Sequence, residues 1–599
     1  MKESTISRSI RLFLVTTAVL LLILSSSCVP NQESSNNESM GKIDDWSTPA
    51  ATPPPAPTAK TVPSAPAMEM PRESVAPRVP PVPTTPSAPN SGTIGLAAGG
   101  AKDINNFREN IENGFLPLPT DVTYEGLFYD YYFETGQPEE TNKLFSPSYS
   151  CAVSADPLSG KTDYYLSVGL NSGMKESDFQ RKKLNLVIVL DISGSMSSPF
   201  DRYYYGASGK QVSLPDEEID KSKIQIATEA VVALLGHLKN DDRFGMVVFN
   251  DDAYLTKPLN LVRNTDVGAL KSHILQLSAG GSTNLDAGIR MSTDLYDELT
   301  GADPSQYENR IIFLTDAIPN QGDTSERGLL GMVRRNASNG IYTTFIGIGV
   351  DFNSELVEYI TRMRGANYYS VHSSGEFRGR MDEEFEYMVT PLVFDLKLSL
   401  KAVGWEIEKV YGSPEASEAT GELMRVNTLF PSRKVGDETK GGLILLKLKK
   451  TGPSGSLLLT VSYEDRNGNP DISEAIVRLD DRTAEYFQNS GIRKGVMLAR
   501  YADLLKDWMI DERLHVNIIT PWTPMVDDLH GITVPPMLDQ WERQSMSLRV
   551  SGPYPRLFGE FLSYFEGEMY ALNDDTLGQE SDILRELSRG SQPVKGERP

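Results

Sequence analysis

The chain has 599 residues, of which 39% are hydrophobic, and its formal net charge at pH 7 is −23. Because one hydrophobic core rarely supports so many residues, we expect several domains. The acidic surplus excludes nucleic acid as a partner, since no cationic excess is present to neutralise phosphates.

The amino-terminal 28 residues have the composition of an export signal. Three basic residues precede the apolar run "LFLVTTAVLLLIL", which is shorter than the roughly 20 residues of a membrane span. The "LSSSC" that follows resembles a lipobox with Cys28 as the acylated residue, although its leucine lies four residues before the cysteine instead of three. We therefore expect an exported, membrane-anchored lipoprotein of the cell envelope, with plain secretion or an uncleaved anchor as alternatives.

Residues 29–100 are predicted to be a disordered, proline-rich linker. Fourteen of the 38 prolines of the chain fall between Pro49 and Pro89, interleaved with alanine, serine and threonine. A segment of this composition buries too little apolar surface to order itself, so we expect an extended spacer between the membrane and the folded domains. The alternative is a disordered tail without a function.

From residue 182 to residue 390, short apolar runs alternate with amphipathic helical patterns. This alternation predicts an α/β fold with a doubly wound, mostly parallel sheet and helices between its strands. The predicted strands are "LNLVIVLDIS", "DRFGMVVFND" (242–251), "NRIIFLTDA" (309–317) and "IYTTFIGIGV" (341–350), and the predicted helices are 221–238, "NLDAGIRMSTDLYDEL", "SERGLLGMVRRNAS" and "SELVEYITRMRG".

Residues 391–480 alternate between apolar and polar side chains with a period of two, which predicts a β-rich domain. Its "NG" dipeptide at 467–468 predicts a hairpin turn. Residues 164–170, within the amino-terminal flanking region 101–181, have the same period. We therefore predict that the two regions pair in one β-rich domain, into which the α/β domain is inserted. Cys151 alternates with small residues and is expected to be a buried strand cysteine.

The carboxyl-terminal part of the chain has a weaker pattern. Residues 481–580 are expected to be a mixed α/β region that includes a helix over 493–508. Residues 581–599 are predicted to be a polar tail.

Oxygen-bearing side chains follow two of the predicted strands. Asp191, Ser193 and Ser195 come directly after the first strand, and Asp316 ends a later one; Thr283 lies in a glycine-rich loop before a helix. If the two strands flank the point where the strand order reverses, all five side chains converge in one crevice. Hard oxygen ligands, without imidazole or thiolate, favour Mg²⁺, Mn²⁺ or Ca²⁺ over zinc.

This pattern of D-x-S-x-S, a threonine and a later aspartate resembles the metal-ion-dependent adhesion site of von Willebrand factor type A domains. The resemblance covers about 182–375 and implies a divalent cation, with Mg²⁺ expected first, whose open position takes an acidic side chain of a protein partner. Ser193 and Ser195 are expected to bind the ion directly, and Thr283 either joins them or lies one water away. The two aspartates are expected to orient the bound waters. Residues 104–134 are similar to the region that precedes the type A domain in exported bacterial proteins of this class.

A long loop separates Ser195 from the helix at 221, and it contains Tyr203, Tyr204 and Tyr205. These tyrosines are candidates for partner binding, because tyrosine gives a large contact area at a low entropy cost. The alternative is a tyrosine cluster packed on the domain's own flank.

The leading interpretation is a surface-tethered binding or adhesion module. The alternatives are a structural envelope protein with a vestigial metal site and an accessory subunit of an envelope enzyme system. We expect no enzymatic activity, since the five histidines are scattered and the sequence contains no H-E-x-x-H, G-x-S-x-G or P-loop motif.

Overall fold

The computed structural model describes residues 92–590, apart from 139–141, 200–220, 298, 300–304, 317–318, 324, 350–352, 373–383, 402–403, 416–422, 453–455, 479–481, 520–525, 528–530 and 533–545. The strands are β1 (Thr93–Ala98), β2 (Gly100–Ala101), β3 (Tyr132–Glu134), β4 (Ser148–Ala155), β5 (Thr162–Gly169), β6 (Asn171–Lys175), β7 (Lys183–Asp191), β8 (Arg243–Phe249), β9 (Ala253–Leu261), β10 (Tyr307–Thr315), β11 (Ile341–Ile348), β12 (Asn367–Val371), β13 (Val393–Lys401), β14 (Trp405–Tyr411), β15 (Leu423–Ser432), β16 (Lys434–Val435), β17 (Glu438–Lys440), β18 (Leu443–Lys450), β19 (Ser456–Asp465), β20 (Pro470–Arg478), β21 (Tyr486–Phe487), β22 (Val526–Asp527) and β23 (Gly531–Ile532). The α-helices are α1 (Asn105–Glu112), α2 (Tyr124–Tyr129), α3 (Lys223–Leu234), α4 (Val267–Ile274), α5 (Leu285–Asp297), α6 (Glu326–Ser338), α7 (Ser354–Thr361), α8 (Ser490–Ile519), α9 (Tyr554–Leu572) and α10 (Gly578–Ser588).

The predicted α/β domain contains a sheet with the strand order β2-β12-β11-β10-β7-β8-β9. Neighbouring strands are parallel, except that β8 and β9 pair antiparallel. Along the chain, β8 follows β7 on one side, whereas β10 pairs with β7 on its other side. The strand order therefore reverses between β7 and β10. Asp191 ends the first of these strands and Asp316 follows the second, so both aspartates can face the same crevice.

The unbroken apolar run of β7 is explained by burial on both faces of the sheet. Leu186, Ile188 and Leu190 pack in a core with α3 and α4, whereas Val187 and Val189 pack in a second core with α5, α6 and α7. All five side chains are buried. Because successive strand residues point to opposite faces, one run of apolar residues supplies both cores.

Strands from both sides of this domain form a β-sandwich. Its two sheets have the orders β20-β19-β13-β15-β1-β6 and β14-β18-β5-β4-β21. In the second sheet β5 pairs antiparallel with β18, with Leu166 opposite Leu446, which confirms the predicted insertion of the α/β domain. Strands β19 and β20 form the predicted hairpin, and the turn contains Gly468 with a φ of 81°. Cys151 is buried in β4, as expected.

The amino-terminal boundary of the folded part corrects one prediction. The linker was predicted to extend to residue 100, but residues 93–98 form β1, which lies between β15 and β6 in the sandwich. Leu96 is fully buried there. Six residues of mostly small apolar character give a weak local signal, and their pairing with residues 429–432 is a contact distant in sequence.

A helical unit packs against one side of the sandwich. Helix α8 is longer than the predicted 493–508, and the side chain of Asn489 caps its start by accepting a hydrogen bond of 2.9 Å from the backbone N–H of Ile492. Its core includes Trp508, which is fully buried against α9. Among the described residues, no helix is both long and apolar enough to cross a membrane.

The predicted polar tail over 581–599 is wrong in its first part, because residues 578–588 form α10, and its Ile583, Leu584 and Leu587 are buried in the same core as Trp508. The three apolar residues lie among charged ones, so the local composition is polar although one helix face is apolar.

Candidate metal site

Asp191 is the last residue of β7, and both of its carboxylate oxygens accept hydrogen bonds. Oδ1 accepts from the backbone N–H of Ser193 at 2.8 Å, and Oδ2 accepts from the hydroxyl of Thr315, on β10, at 2.7 Å. The side chain is fully buried. Asp191 therefore fixes the serine-containing turn to the ends of both strands at the switch point.

Ser193 and Ser195 lie side by side in this turn. Their hydroxyl oxygens are 3.1 Å apart, and both residues are buried. The turn is held by the glycine-rich loop, because the N–H of Gly194 donates to the carbonyl of Gly281 at 2.9 Å and the N–H of Gly280 donates to that of Ile192 at 2.8 Å. The loop that carries the predicted threonine therefore contacts the turn that carries the serines.

Thr283 is buried within this loop, and its backbone is also bonded to the loop after β10. Its N–H donates to the side-chain oxygen of Asn320 at 2.8 Å, and its carbonyl accepts from the N–H of Asn320 at 3.0 Å. Asp316 begins that same loop. The three sequence segments with predicted ligands thus meet at the carboxyl edge of the sheet.

Asp316 is fully buried, and its two carboxylate oxygens have different surroundings. Oδ2 lies 3.2 Å from the ammonium Nζ of Lys223, which is also fully buried. Oδ1 has no hydrogen-bond partner in the part of the chain that the structure describes. A buried carboxylate oxygen without a partner is costly, so this oxygen is the feature of the site that a cation would satisfy.

Lys223 is a site residue that the sequence analysis missed. It is the first residue of α3, where a positive charge opposes the helix dipole and is therefore not expected without another compensating interaction. That position, within a helix otherwise rich in buried apolar residues, is the signal that could have identified it.

The two aspartates affect each other electrostatically. Burial, and then the neighbouring carboxylate of Asp316, raise the pKa of Asp191 from 3.8 to about 7. In the cation-free protein, the contribution of Asp191 to the free energy of unfolding is therefore lost as the pH rises through about 7. A divalent cation would reverse this trend, because it requires the ionised form.

We expect the affinity for Mn²⁺ to depend on pH in a direction set by Asp191. Below the pKa of about 7, a proton competes with the ion, so the affinity should fall by about tenfold for each pH unit. Above that pKa it should become constant. Isothermal titration calorimetry at a series of pH values measures this dependence, and an affinity that rises on acidification would contradict it.

The donor set fits a hard cation. Two carboxylates and three hydroxyl side chains meet at this edge, and in the described part of the chain no group of three or more histidine, cysteine, aspartate or glutamate side chains forms another such site. Oxygen donors of this kind suit Mg²⁺, Mn²⁺ or Ca²⁺. Tyr203, Tyr204 and Tyr205, as well as Cys28 and the linker to residue 91, lie outside the described residues.

The fold and the position of these side chains define a doubly wound α/β domain with a candidate cation site at its switch point. Residues 186–318 match the sequence model of the von Willebrand factor type A domain, so the chain contains such a domain. The predicted α/β fold with a flanking β-rich region is therefore confirmed.

Similar proteins share only part of their length with this chain. Over 213 residues it is 26% identical to human inter-alpha-trypsin inhibitor heavy chain H4, and the matched region covers 35% of this chain and 20% of that protein. It is 24% identical over 218 residues to heavy chain H1 of Mesocricetus auratus, covering 36% and 21%. The chain thus matches about a fifth of the length of these curated relatives.

Solved structures with likeness to this chain are also distant. A von Willebrand factor type A protein from Catenulispora acidiphila has a TM-score of 0.40 and 15% identity, covering 62% of this chain and 82% of that one. The manganese-loaded Plasmodium vivax TRAP protein has a TM-score of 0.26 and 14% identity, covering 52% and 96%.

Proposed function

We propose that this chain is a surface-tethered binding module that engages a protein partner through a divalent cation. The cation would be held by Asp191, Ser193, Ser195, Thr283 and Asp316, and Mg²⁺ is the ion we expect first. The observation that carries the proposal is the buried Oδ1 of Asp316, which lacks a hydrogen-bond partner among the described residues. The bound ion supplies a Lewis-acidic position for an oxygen ligand from outside the chain.

The partner is proposed to supply an acidic side chain. A hard divalent ion prefers a carboxylate oxygen, and a site formed largely by neutral hydroxyls leaves the ion with positive charge to attract one. Long-range repulsion from a chain of net charge −23 opposes an acidic partner, but screening limits it to about 8 Å at physiological salt. Tyr203, Tyr204 and Tyr205 follow the serine turn in sequence and are proposed to add partner contacts.

The human inter-alpha-trypsin inhibitor heavy chain H4 shares the matched region, which supports a role in protein interaction. The sequence contains no H-E-x-x-H, G-x-S-x-G or P-loop motif, and we propose that the chain is not an enzyme. The proposed module acts by binding.

One observation favours a second candidate, a structural envelope protein with a vestigial metal site. The ion pair between Lys223 and Asp316 already gives this carboxylate a cationic partner without a metal. Binding of Mn²⁺ separates the two candidates. A vestigial site would bind this ion no more tightly than an exposed surface carboxylate does.

The proposal is tested by affinity capture on the full chain from an envelope extract of its source. A partner should be retained with Mg²⁺ and released by EDTA, and the Ser193→Ala variant should retain nothing in either condition. Capture that is equal with Mg²⁺ and with EDTA would contradict the proposal.

Tethering is proposed to depend on acylation of Cys28. We expect Cys28→Ser to move the protein from the membrane fraction to the soluble fraction or to block its processing, because a serine hydroxyl does not accept the thioether-linked lipid. Mass spectrometry of the mature amino terminus provides the direct check, and Cys151→Ser is the matched control. Equal fractionation of variant and wild type, with no lipid on the wild type, would contradict lipid anchoring.

A further inference from the structure

Lys223 is enclosed by the domain in a way that directs its ammonium to the candidate cation site. The residue is fully buried, and its Nζ lies 3.2 Å from Oδ2 of Asp316. Its aliphatic stem passes over Gly349, after β11, where an added Cβ would lie 2.6 Å from Cε of Lys223. Gly349 has a φ of 87°, so both its conformation and the close approach of the lysine require glycine. The site thus has a built position for this lysine.

The charges of the site can be counted with and without this lysine. Among the described residues, the two aspartates, in the ionised form that a cation requires, and one ammonium carry a net charge of −1, which a divalent cation changes to +1. Without the ammonium, the same two aspartates would neutralise the divalent ion completely. One carboxylate from a partner therefore neutralises the loaded site only when Lys223 is present.

We propose that Lys223 is a resident counter-cation that weakens the binding of the divalent ion and strengthens the binding of a partner carboxylate to the loaded site. The inference rests on the proposed function and deepens it. The ammonium repels a second cation at short range in a poorly screened interior, which lowers the affinity for the ion. By pairing with Oδ2 it also withholds part of Asp316 from the ion, which keeps the ion electrophilic.

The test compares Lys223→Met with wild type in the full chain, using Mn²⁺ alone as the probe. Methionine keeps an unbranched apolar stem and removes the charge. We expect Lys223→Met to bind Mn²⁺ at least about tenfold more tightly by calorimetry, because the repulsion is removed. Lys221→Met is the matched control: Lys221 lies two residues earlier, pairs with Glu229 at 2.6 Å, and has a 45% exposed side chain. Its removal should leave the Mn²⁺ affinity unchanged.

A second measurement counts the water molecules on the bound ion, a number that a purely structural role of Lys223 would leave unchanged. With Mn²⁺ saturating, electron paramagnetic resonance in ¹⁷O-labelled water counts the water molecules bound to the ion. Lys223→Met should have fewer bound waters than wild type, because Asp316 is then available to the ion. Acetate, as a simple carboxylate, should displace water from the wild-type ion at a lower concentration than from the variant ion.

Measuring the melting temperature covers the case in which Lys223→Met folds poorly without a cation. The variant leaves two buried carboxylates without the ammonium, so its melting temperature should be lower than that of wild type and should rise more when Mn²⁺ is added. Lys223→Gln, which keeps a hydrogen-bond donor, should show the same gain in Mn²⁺ affinity with a smaller loss of stability.

The outcomes separate this inference from the proposed function. Tighter Mn²⁺ binding by both variants supports it, and so does Mn²⁺ binding by the variants alone, although the latter would overturn the proposed function. If wild type binds Mn²⁺ and the variants bind it equally or more weakly, the inference is overturned and the proposed function stands. If no form binds Mn²⁺, both are overturned.

Discussion

Ser193→Ala is expected to lower the affinity for Mn²⁺ by about 100-fold or more while the protein stays folded. The hydroxyl of Ser193 is fully buried and lies 3.1 Å from that of Ser195. In the alanine variant, no solvent-exposed side chain can take its place as a ligand. The backbone N–H of Ser193, which donates to Asp191, is retained in alanine. The loss of one hydroxyl should therefore cost about 1 kcal/mol of stability.

Calorimetry with Mn²⁺ measures the affinity, and thermal unfolding without a cation measures the stability. Ser197→Ala is a matched control in the same turn, since the exposed hydroxyl of Ser197 donates to the carbonyl of Gly194 at 2.7 Å and does not contact the predicted ligands. This control should bind Mn²⁺ as wild type does. Full Mn²⁺ affinity in Ser193→Ala would remove this serine from the site.

Asp316 requires a different substitution. Replacing it with alanine would leave the buried ammonium of Lys223 without its carboxylate, and such a change destabilises proteins by several kcal/mol, about 3–5 in typical cases. Asp316→Asn keeps the shape and an acceptor oxygen for Lys223, so it tests the charge required by the cation with less effect on the fold.

Arg310→Met is expected to lower the free energy of unfolding by about 3 kcal/mol or more. Arg310 is fully buried at the start of β10, and its guanidinium donates to the carbonyls of Gly365 and Val389 at 2.8 and 3.4 Å. It also lies over the ring of Phe430, on β15 of the sandwich, at 5.8 Å. The substitution leaves these carbonyls without their donor where the α/β domain rejoins the sandwich.

Urea unfolding, followed by circular dichroism, provides the measurement. Arg290→Met is the matched control, because Arg290 is 56% exposed and pairs with Asp286 across one helical turn. This control should change the stability by less than about 0.5 kcal/mol. An Arg310→Met variant as stable as the control would mean that the buried guanidinium does not stabilise the junction.

The central strand and the residues at its end follow from the local sequence. An apolar run from Leu186 to Leu190 predicts burial on both faces, and the structure divides this run between two cores. Asp191, Ser193 and Ser195 follow it directly, so their place at the carboxyl edge depends on local order along the chain. The four strands and four helices predicted in the α/β domain follow from local sequence for the same reason, since each has its own apolar period, whereas β9, β12 and α4 were not predicted.

Which distant segments meet depends on how the separate elements pack. The pairing of β1 with β15 joins residues 93–98 to 429–432, and local composition had assigned the former to the linker. The burial of Lys223 depends on Gly349 and Asp316, which lie 126 and 93 residues away in the chain. A local pattern records which face of an element is apolar, whereas the partner of a buried charge is set by how separate elements pack.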